Sequence, residues 1–321
     1  MRKKLLKVLI TGGAGFIGSA FVKLALRNNC EVIVVDKITY AGDLKRLQEV
    51  KGRYKFYKTD ICDKKQVELV LSKEQPQIVI NFAAETHVDR SIQSPMPFID
   101  TNVKGVMVLL DACLKFRVQR FIQISTDEVY GDILKGKFRE SSQLKPNSPY
   151  SASKASAELL IKSYARTYNF PAVIIRPSNN YGPWQYPEKL IPLAILKVIK
   201  KQKVPVYAKG LNVREWLFVD DCARGIYKIM KAGKTGEIYN LGSSAEKKNI
   251  EVIKSLLFIL KADESMISFV KDRPGHDLRY SLDSSKVNSI IKWRPEIDFA
   301  QGLKRTVDWY LKNKQWMLGK R

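Results

Sequence analysis

One short stretch constrains this chain more than any other. The strand-like run Lys7-Val8-Leu9-Ile10 flows into Thr11-Gly12-Gly13-Ala14-Gly15-Phe16-Ile17-Gly18, and an apolar helical pattern follows to about Arg27. Glycines at this spacing permit a tight turn and let backbone approach a pyrophosphate, whose charge is held by free amides and the positive end of the helix. The segment reads as GxGxxG from Gly13 and as GxxGxxG from Gly12. Alone that pattern is weak, and an ordinary strand-helix turn with an incidental acid is the alternative. Context strengthens it, because Asp36 closes the next strand. An acid there accepts from adenosine ribose hydroxyls and repels a 2′-phosphate, which favours NAD over NADP; Lys37 beside it blurs the preference.

Beyond the loop, short β-branched runs alternate with helix-length segments. Strands are expected at Lys7 to Thr11, Glu31 to Val35, Tyr54 to Lys58, Ile78 to Phe82, Arg120 to Ser125 and Ala172 to Arg176. This alternation predicts an α/β fold, a Rossmann-type doubly wound parallel sheet with helices on both faces. Turn residues cluster at Pro177-Ser178-Asn179-Asn180-Tyr181-Gly182-Pro183, and later elements are less regular, so a smaller, interleaved C-terminal substrate-binding domain is expected. Trp216 to Gly242 again looks like strand, helix and strand. The expected division is 1–178 plus 216–243 for the cofactor domain and 179–215 plus 244–321 for the smaller one.

Composition narrows the partners. The 321 residues are 45% hydrophobic, enough for a full core, which excludes disorder as the main reading. Lys and Arg number 56 against 32 Asp and Glu, a net +24 spread along the whole chain. A diffuse excess attracts polyanions weakly without making a dedicated site, so no specific nucleic-acid partner is expected. No uninterrupted apolar stretch of spanning length occurs, so no membrane is expected, and Met1-Arg2-Lys3-Lys4 runs straight into a strand; both features predict a cytoplasmic protein. Cys30, Cys62, Cys113 and Cys222 form no CxxC pair, and His87 and His276 are the only histidines. Free buried thiols and no metal are the expectation, and a His-dependent triad is disfavoured.

Two further groupings carry chemistry. Tyr150 and Lys154 stand four residues apart at the start of a predicted helix, on one face, so the ammonium can lie near the phenol and lower its pKa. The strand Phe121 to Ser125 delivers Thr126-Asp127-Glu128-Val129-Tyr130-Gly131 at its C-terminal end, where such sheets bind ligands. An elimination needs one group to remove a carbon-bound proton and another to protonate a departing hydroxyl, a task for two carboxyls in different environments. A solvated acidic turn is the plainer reading.

The glycine loop with Tyr150-Ser151-Ala152-Ser153-Lys154 resembles the short-chain dehydrogenase/reductase superfamily. Ser125 to Gly131, Tyr150 to Ala155, Arg176 to Pro183, Glu188-Lys189-Leu190-Ile191-Pro192 and Asp272-Arg273-Pro274-Gly275-His276-Asp277 are together similar to the dTDP-glucose 4,6-dehydratase family. The resemblance implies NAD-dependent dehydration of dTDP-glucose to its 4-keto-6-deoxy form. In that scheme Tyr150 takes the 4-hydroxyl proton while Thr126 bonds the same hydroxyl and hydride passes from C4 to NAD. Glu128 then removes the C5 proton, Asp127 protonates the C6 hydroxyl to expel water, and hydride returns to C6; Lys154 completes the catalytic set. The same resemblance assigns the cofactor to Gly12, Gly15, Phe16, Ile17, Gly18, Asp36, Lys37, Asp60, Ile61, Ala83, Ala84, Thr101, Tyr150, Lys154 and Asn180. It assigns the nucleotide-sugar substrate to Thr86, Asn179, Lys189, Leu190, Pro205, Tyr207, Arg214, Asn249, Arg273 and His276. Arg214 and Arg273 suit a diphosphate and Tyr207 can stack on a base, while His276 could equally be structural.

Pro177 and Ala208 depart from the family pattern, Ala208 standing where glycine is common. Helices near Pro95 to Phe116 and Tyr150 to Thr167 fit the family's homodimer, although their apolar faces could pack within the chain. The alternatives are a UDP-glucose 4,6-dehydratase, a UDP-sugar epimerase or decarboxylase, and, in a different class, an NAD-retaining polyanion-binding protein.

Overall fold

The structure is a computed structural model that describes residues 5–320; Met1 to Lys4, read above as leading into the first strand, lie outside them. The chain opens β1 (Lys7–Thr11), α1 (Phe16–Arg27), β2 (Glu31–Asp36), β3 (Lys55–Lys58), α2 (Lys64–Glu74) and β4 (Ile78–Asn81). It continues through α3 (Val88–Gln93), α4 (Met96–Ile99), α5 (Gly105–Lys115), β5 (Arg120–Ile124), α6 (Pro149–Tyr168) and β6 (Ala172–Pro177). Next come β7 (Asn179–Tyr181), α7 (Leu190–Ile199), β8 (Val204–Tyr207), β9 (Val213–Phe218), α8 (Val219–Ala232) and β10 (Ile238–Leu241). The last elements are β11 (Glu246–Lys248), α9 (Asn249–Ile259), β12 (Ile267–Val270), α10 (Ser285–Ile290), α11 (Phe299–Lys312) and α12 (Lys314–Leu318).

Seven parallel strands form the main sheet in the order β10-β6-β5-β4-β1-β2-β3. The β-branched runs Val32-Ile33-Val34-Val35 and Ile78-Val79-Ile80 are buried on both faces, as expected where helices cover a parallel sheet on each side. One apolar core lies between the sheet and α1 and α8, and a second lies against α2, α5 and α6. The chain moves outward in one direction through β2 and β3 and in the other through β5 and β6, so the order reverses between β1 and β4. Ligands bind in the crevice that such a reversal opens at the strands' carboxyl ends.

A smaller part packs on that edge. It holds a three-stranded sheet, β11-β9-β7, a two-stranded sheet, β12-β8, and its own core from α7, α9 and α11. The expected strand-helix-strand return from Trp216 divides: α8 packs on the main sheet and β10 extends it, but Trp216 to Phe218 pair with β7, in the same strand whose Val213 to Glu215 pair with β11. Apolar residues there suit either sheet, and β7, immediately after β6, draws β9 to itself by pairing Asn179 with Trp216.

Candidate active site

At the reversal the glycine loop is crowded in a way only glycine allows. Gly12 has φ +65°, and a Cβ there would lie 2.6 Å from the Ala83 nitrogen, just beyond the end of the neighbouring β4. A Cβ at Gly18 would lie 2.2 Å from the Gly12 carbonyl oxygen, so helix and turn pack without side chains. Gly15 caps α1, no side chain caps it, and its first turn carries no acid. Its initial amides therefore present positive potential to the cleft. Asp36 is buried; its Oδ2 accepts from Ala14 N at 3.0 Å and its Oδ1 from Ile38 N at 2.8 Å. Burial holds this carboxyl above its usual range. Lys37 pairs with Asp60 at 3.3 Å, which draws its charge toward Asp60.

One cleft runs from this loop to the end of β5. It is lined by all the residues assigned to the cofactor, and by Thr86, Thr126, Asp127, Glu128, Asn179 and Lys189. The site therefore fits a dinucleotide: a cradle that a Cβ would fill, uncapped helix amides, and an oriented carboxylate at the end of β2.

The chemistry-bearing turn follows β5 directly. Thr126 caps a 3-10 turn, Asp127–Tyr130, and its hydroxyl donates to Asp127 Oδ1 at 3.2 Å. The other Asp127 oxygen is buried without a hydrogen-bond partner. Burial, then the neighbouring Glu128 and Glu215 charges, push Asp127 well above the normal carboxylate range, against the pull of Arg214 and Thr126. Glu128 is half-buried and also raised by burial, but Arg214, Arg273 and Lys189 counter the rise. Adjacent acids thus meet different surroundings: Asp127 keeps one buried oxygen without a partner beside two carboxylates, while three cations counter the rise of Glu128.

Tyr150 and Lys154 begin α6, whose start is fixed by the Ser148–Ser151 capping box with Pro149 in the first turn. The expected lowering of the phenol does not occur. Lys154 Nζ donates instead to the Ile124 carbonyl at 2.6 Å, and Tyr150 is raised by burial and by Glu128 and Asp127, with only a Thr126 hydrogen bond opposing. Helical spacing put the two on one face, but the free carbonyl at the end of β5 captured the ammonium. Burial brings Lys154 down to about 8, with Glu158 resisting.

Within the lining, Lys189 Nζ donates to the Thr86 carbonyl at 2.7 Å. The remaining substrate-assigned residues lie on the smaller part, outside that lining, where Leu190 opens α7. Pro205 and Tyr207 are on β8, Arg214 on β9, Asn249 at the start of α9, and Arg273 and His276 on the following loop. Arg214 is buried, with its guanidinium 4.3 Å over the Tyr280 ring and bonded to the Asp277 carbonyl at 2.9 Å, so it is no surface charge. Asn249 keeps a buried, unpartnered Oδ1 and Arg273 an unpartnered Nε. His276 bonds Asp272 at 2.6 Å and meets the Tyr207 ring edge-on.

Sequence reasoning missed Asp89. From α3 it accepts from the Tyr207 hydroxyl at 3.0 Å and from Arg273 Nη1 at 3.3 Å, joining the main part to the smaller one. It also missed Glu188, Tyr186, Gln185 and Arg46 in the cleft wall, and the buried Arg176–Glu158 pair beneath the reactive turn. Glu158 shared a helical face with Lys154 and Tyr150, a signal that could have been read.

Redox-cofactor geometry and acid-base groups thus converge where the sheet changes direction, which makes the molecule an enzyme of the extended short-chain dehydrogenase/reductase class. The family model described as GDP-mannose 4,6 dehydratase matches residues 9–306. A dTDP-glucose 4,6-dehydratase of Neisseria meningitidis serogroup B is 46% identical over 97% of this chain and 94% of its own length. The crystal structure of DesIV, a dTDP-glucose 4,6-dehydratase from Streptomyces venezuelae solved with NAD bound, superimposes with a TM-score of 0.96 at 45% identity, covering 98% of this chain and 100% of that one. A dTDP-glucose 4,6-dehydratase from Bacillus anthracis, also with NAD, gives 0.92 at 40% identity, covering 98% and 100%. The chain belongs to the dTDP-glucose 4,6-dehydratase family.

Proposed function

We propose that this enzyme is a hydro-lyase converting dTDP-glucose to dTDP-4-keto-6-deoxyglucose with NAD. One observation carries the reading: two consecutive acids at the end of β5 are perturbed by different surroundings, beside a cradle shaped for a dinucleotide. When bound, NAD supplies the two-electron oxidation at C4 and the matching reduction at C6.

Gly12, Gly15, Phe16, Ile17 and Gly18 would hold the pyrophosphate, Asp36 the adenosine ribose, and Lys37, Asp60, Ile61, Ala83, Ala84, Thr101 and Asn180 the surrounding cleft wall. Tyr150 Oη would take the proton of the sugar's 4-hydroxyl as a phenolate, a form that the positive charge of bound oxidised NAD would favour against the burial that raises it, and Thr126 orients both oxygens. With Asp127 protonated, one of the carboxylate charges that raise the phenol is gone, which eases that transfer. Oxidation at C4 acidifies C5. Glu128, kept ionisable by its cations, removes that proton, Asp127 gives its own to the departing C6 hydroxyl, and Glu128 returns its proton to C5 as C6 is reduced. Lys154 tethers the base of Tyr150's helix turn to the Ile124 carbonyl. Arg214, Arg273, Lys189, Asn179, Thr86 and His276 suit the diphosphate and sugar, while Pro205, Tyr207, Leu190 and Asn249 suit the nucleoside.

The same proposal divides the labour, with the cofactor on 1–178 plus 216–243 and the nucleotide sugar on the smaller part. It includes a homodimer through α4 to α6, where Met96, Ile99, Met107 and Leu159 are exposed, and a cytoplasmic setting suited to four free thiols. Light scattering on the purified protein tests the dimer.

Parallel assays on dTDP-glucose and UDP-glucose, read by the alkaline absorbance of a 4-keto sugar, test the activity. The expected result is turnover with preference for the thymidine nucleotide. No 4-keto product from either would overturn the reading.

A further inference from the structure

Arg46 sits on the 3-10 turn Leu44–Val50 and is 1% exposed. Its guanidinium is spent on backbone: Nη1 donates to the Ala14 carbonyl at 2.8 Å and the Ala41 carbonyl at 2.6 Å, and Nε donates to the Trp184 carbonyl at 3.0 Å. Asp43 and Asp36 act on it through space. A buried charge matched to three neutral acceptors is costly to maintain and fixes those acceptors tightly.

The three carbonyls belong to three separate pieces of the cleft. Ala14 lies inside the glycine loop, and its peptide is gripped on both sides. Its N–H goes to Asp36, and its carbonyl accepts from Arg46 and from Asp43 N at 3.0 Å. Ala41 lines the cleft beside Thr39 and Gly42. Trp184 belongs to the smaller part, where its ring packs on Trp309 and Trp316 at 4.6 and 5.1 Å. Trp316 in turn lies 5.7 Å beneath the Arg46 guanidinium and donates to Asp43 at 2.8 Å. A single side chain therefore connects the pyrophosphate turn, the loop after β2 and the substrate-side part of the molecule.

We infer that Arg46 is a positioning residue for the dinucleotide. It holds the glycine loop and the Ile38–Asp43 loop in binding geometry before the cofactor arrives, and it makes that geometry depend on the seating of the smaller part. Preorganisation of this kind is read as affinity and residence time. The inference rests on the NAD reading above.

The test uses the full chain stripped of cofactor and titrated with NAD by calorimetry, with NAD release followed separately. Arg46→Met keeps bulk and removes every donor; at least a tenfold loss of NAD affinity and faster release are expected. Arg46→Lys, which keeps one donating direction, should recover part of that loss. Leu47→Ala loosens the same turn without touching the three carbonyls and should keep NAD affinity within about threefold while lowering thermal stability. Equal affinity losses in Arg46→Met and Leu47→Ala, or wild-type affinity in either Arg46 variant, would overturn the positioning role. If Arg46→Met fails to fold, Arg46→Lys carries the comparison alone. A wild-type chain that binds no NAD refutes the cofactor reading itself.

Discussion

Asp127 and Glu128 are neighbours in sequence, yet one buries an oxygen that nothing bonds while the other faces Arg214, Arg273 and Lys189. Their roles separate on that contrast. Asp127→Asn should lower dehydration by about 10² to 10⁴ while still oxidising C4. Rapid mixing with dTDP-glucose should then show reduced-cofactor absorbance with little deoxy product. Wild-type turnover in this variant would remove Asp127 from the acid role.

The pH profile should be a bell displaced from ordinary carboxylate behaviour. Glu128 is raised and must be ionised, so activity falls as acid carries the pH down through a value above the usual glutamate range. Asp127 is raised and must be protonated, and Lys154 loses its charge near pH 8, so activity also falls on the alkaline side. Glu128→Gln should abolish the acid limb along with most turnover, and an unchanged limb would assign it to another group.

Arg176 and Glu158 are both wholly buried, and their pair carries Ser125 on Glu158 at 2.6 Å and the Tyr130 hydroxyl on Arg176 at 2.5 Å. Removing one partner strands the other charge, so Arg176→Met should cost about 3–5 kcal/mol. Urea denaturation measures it, and a loss below ~1 kcal/mol would show that the pair is compensated.

Ala208 follows Tyr207 with φ +48°, the left-handed region that glycine occupies without strain. Ala208→Gly should stabilise the fold by up to about 1 kcal/mol, because the relieved strain exceeds the added freedom of the unfolded chain. A drop in the thermal midpoint would contradict this.

Gly18→Ala should destroy cofactor retention, since its methyl would meet the Gly12 carbonyl at 2.2 Å and push helix from turn. Absence of NAD in the purified variant, measured by absorbance after denaturation, is the expected result.

Much of the frame was readable because its causes are local. The glycine crowding, the Asp36 terminus and the alternation of runs all act within a few dozen residues. The expected strand limits differ from those observed by one residue at most, as at Tyr54, where the strand begins at Lys55. What escaped depends on topology. Asp89 meets Arg273 across 184 positions, and Arg46 meets Trp184 across 138. No periodicity connects such residues before the sheet has placed them. Lys154 shows an intermediate case: spacing gave its face, but its partner was a carbonyl exposed by the end of a neighbouring strand.

Two of the contacts that join the parts of the molecule are unequal. Arg46 is buried and gives Trp184 one of its three bonds to backbone, whereas Asp89 on Tyr207 and Arg273 is partly wet, where ion pairs are weak. The Arg46 contact is therefore the costlier of the two to break, because parting it strands a buried guanidinium. Disturbing the Asp89 contact exposes groups that water already reaches, so the glycine-loop side of the molecule is the more rigidly joined.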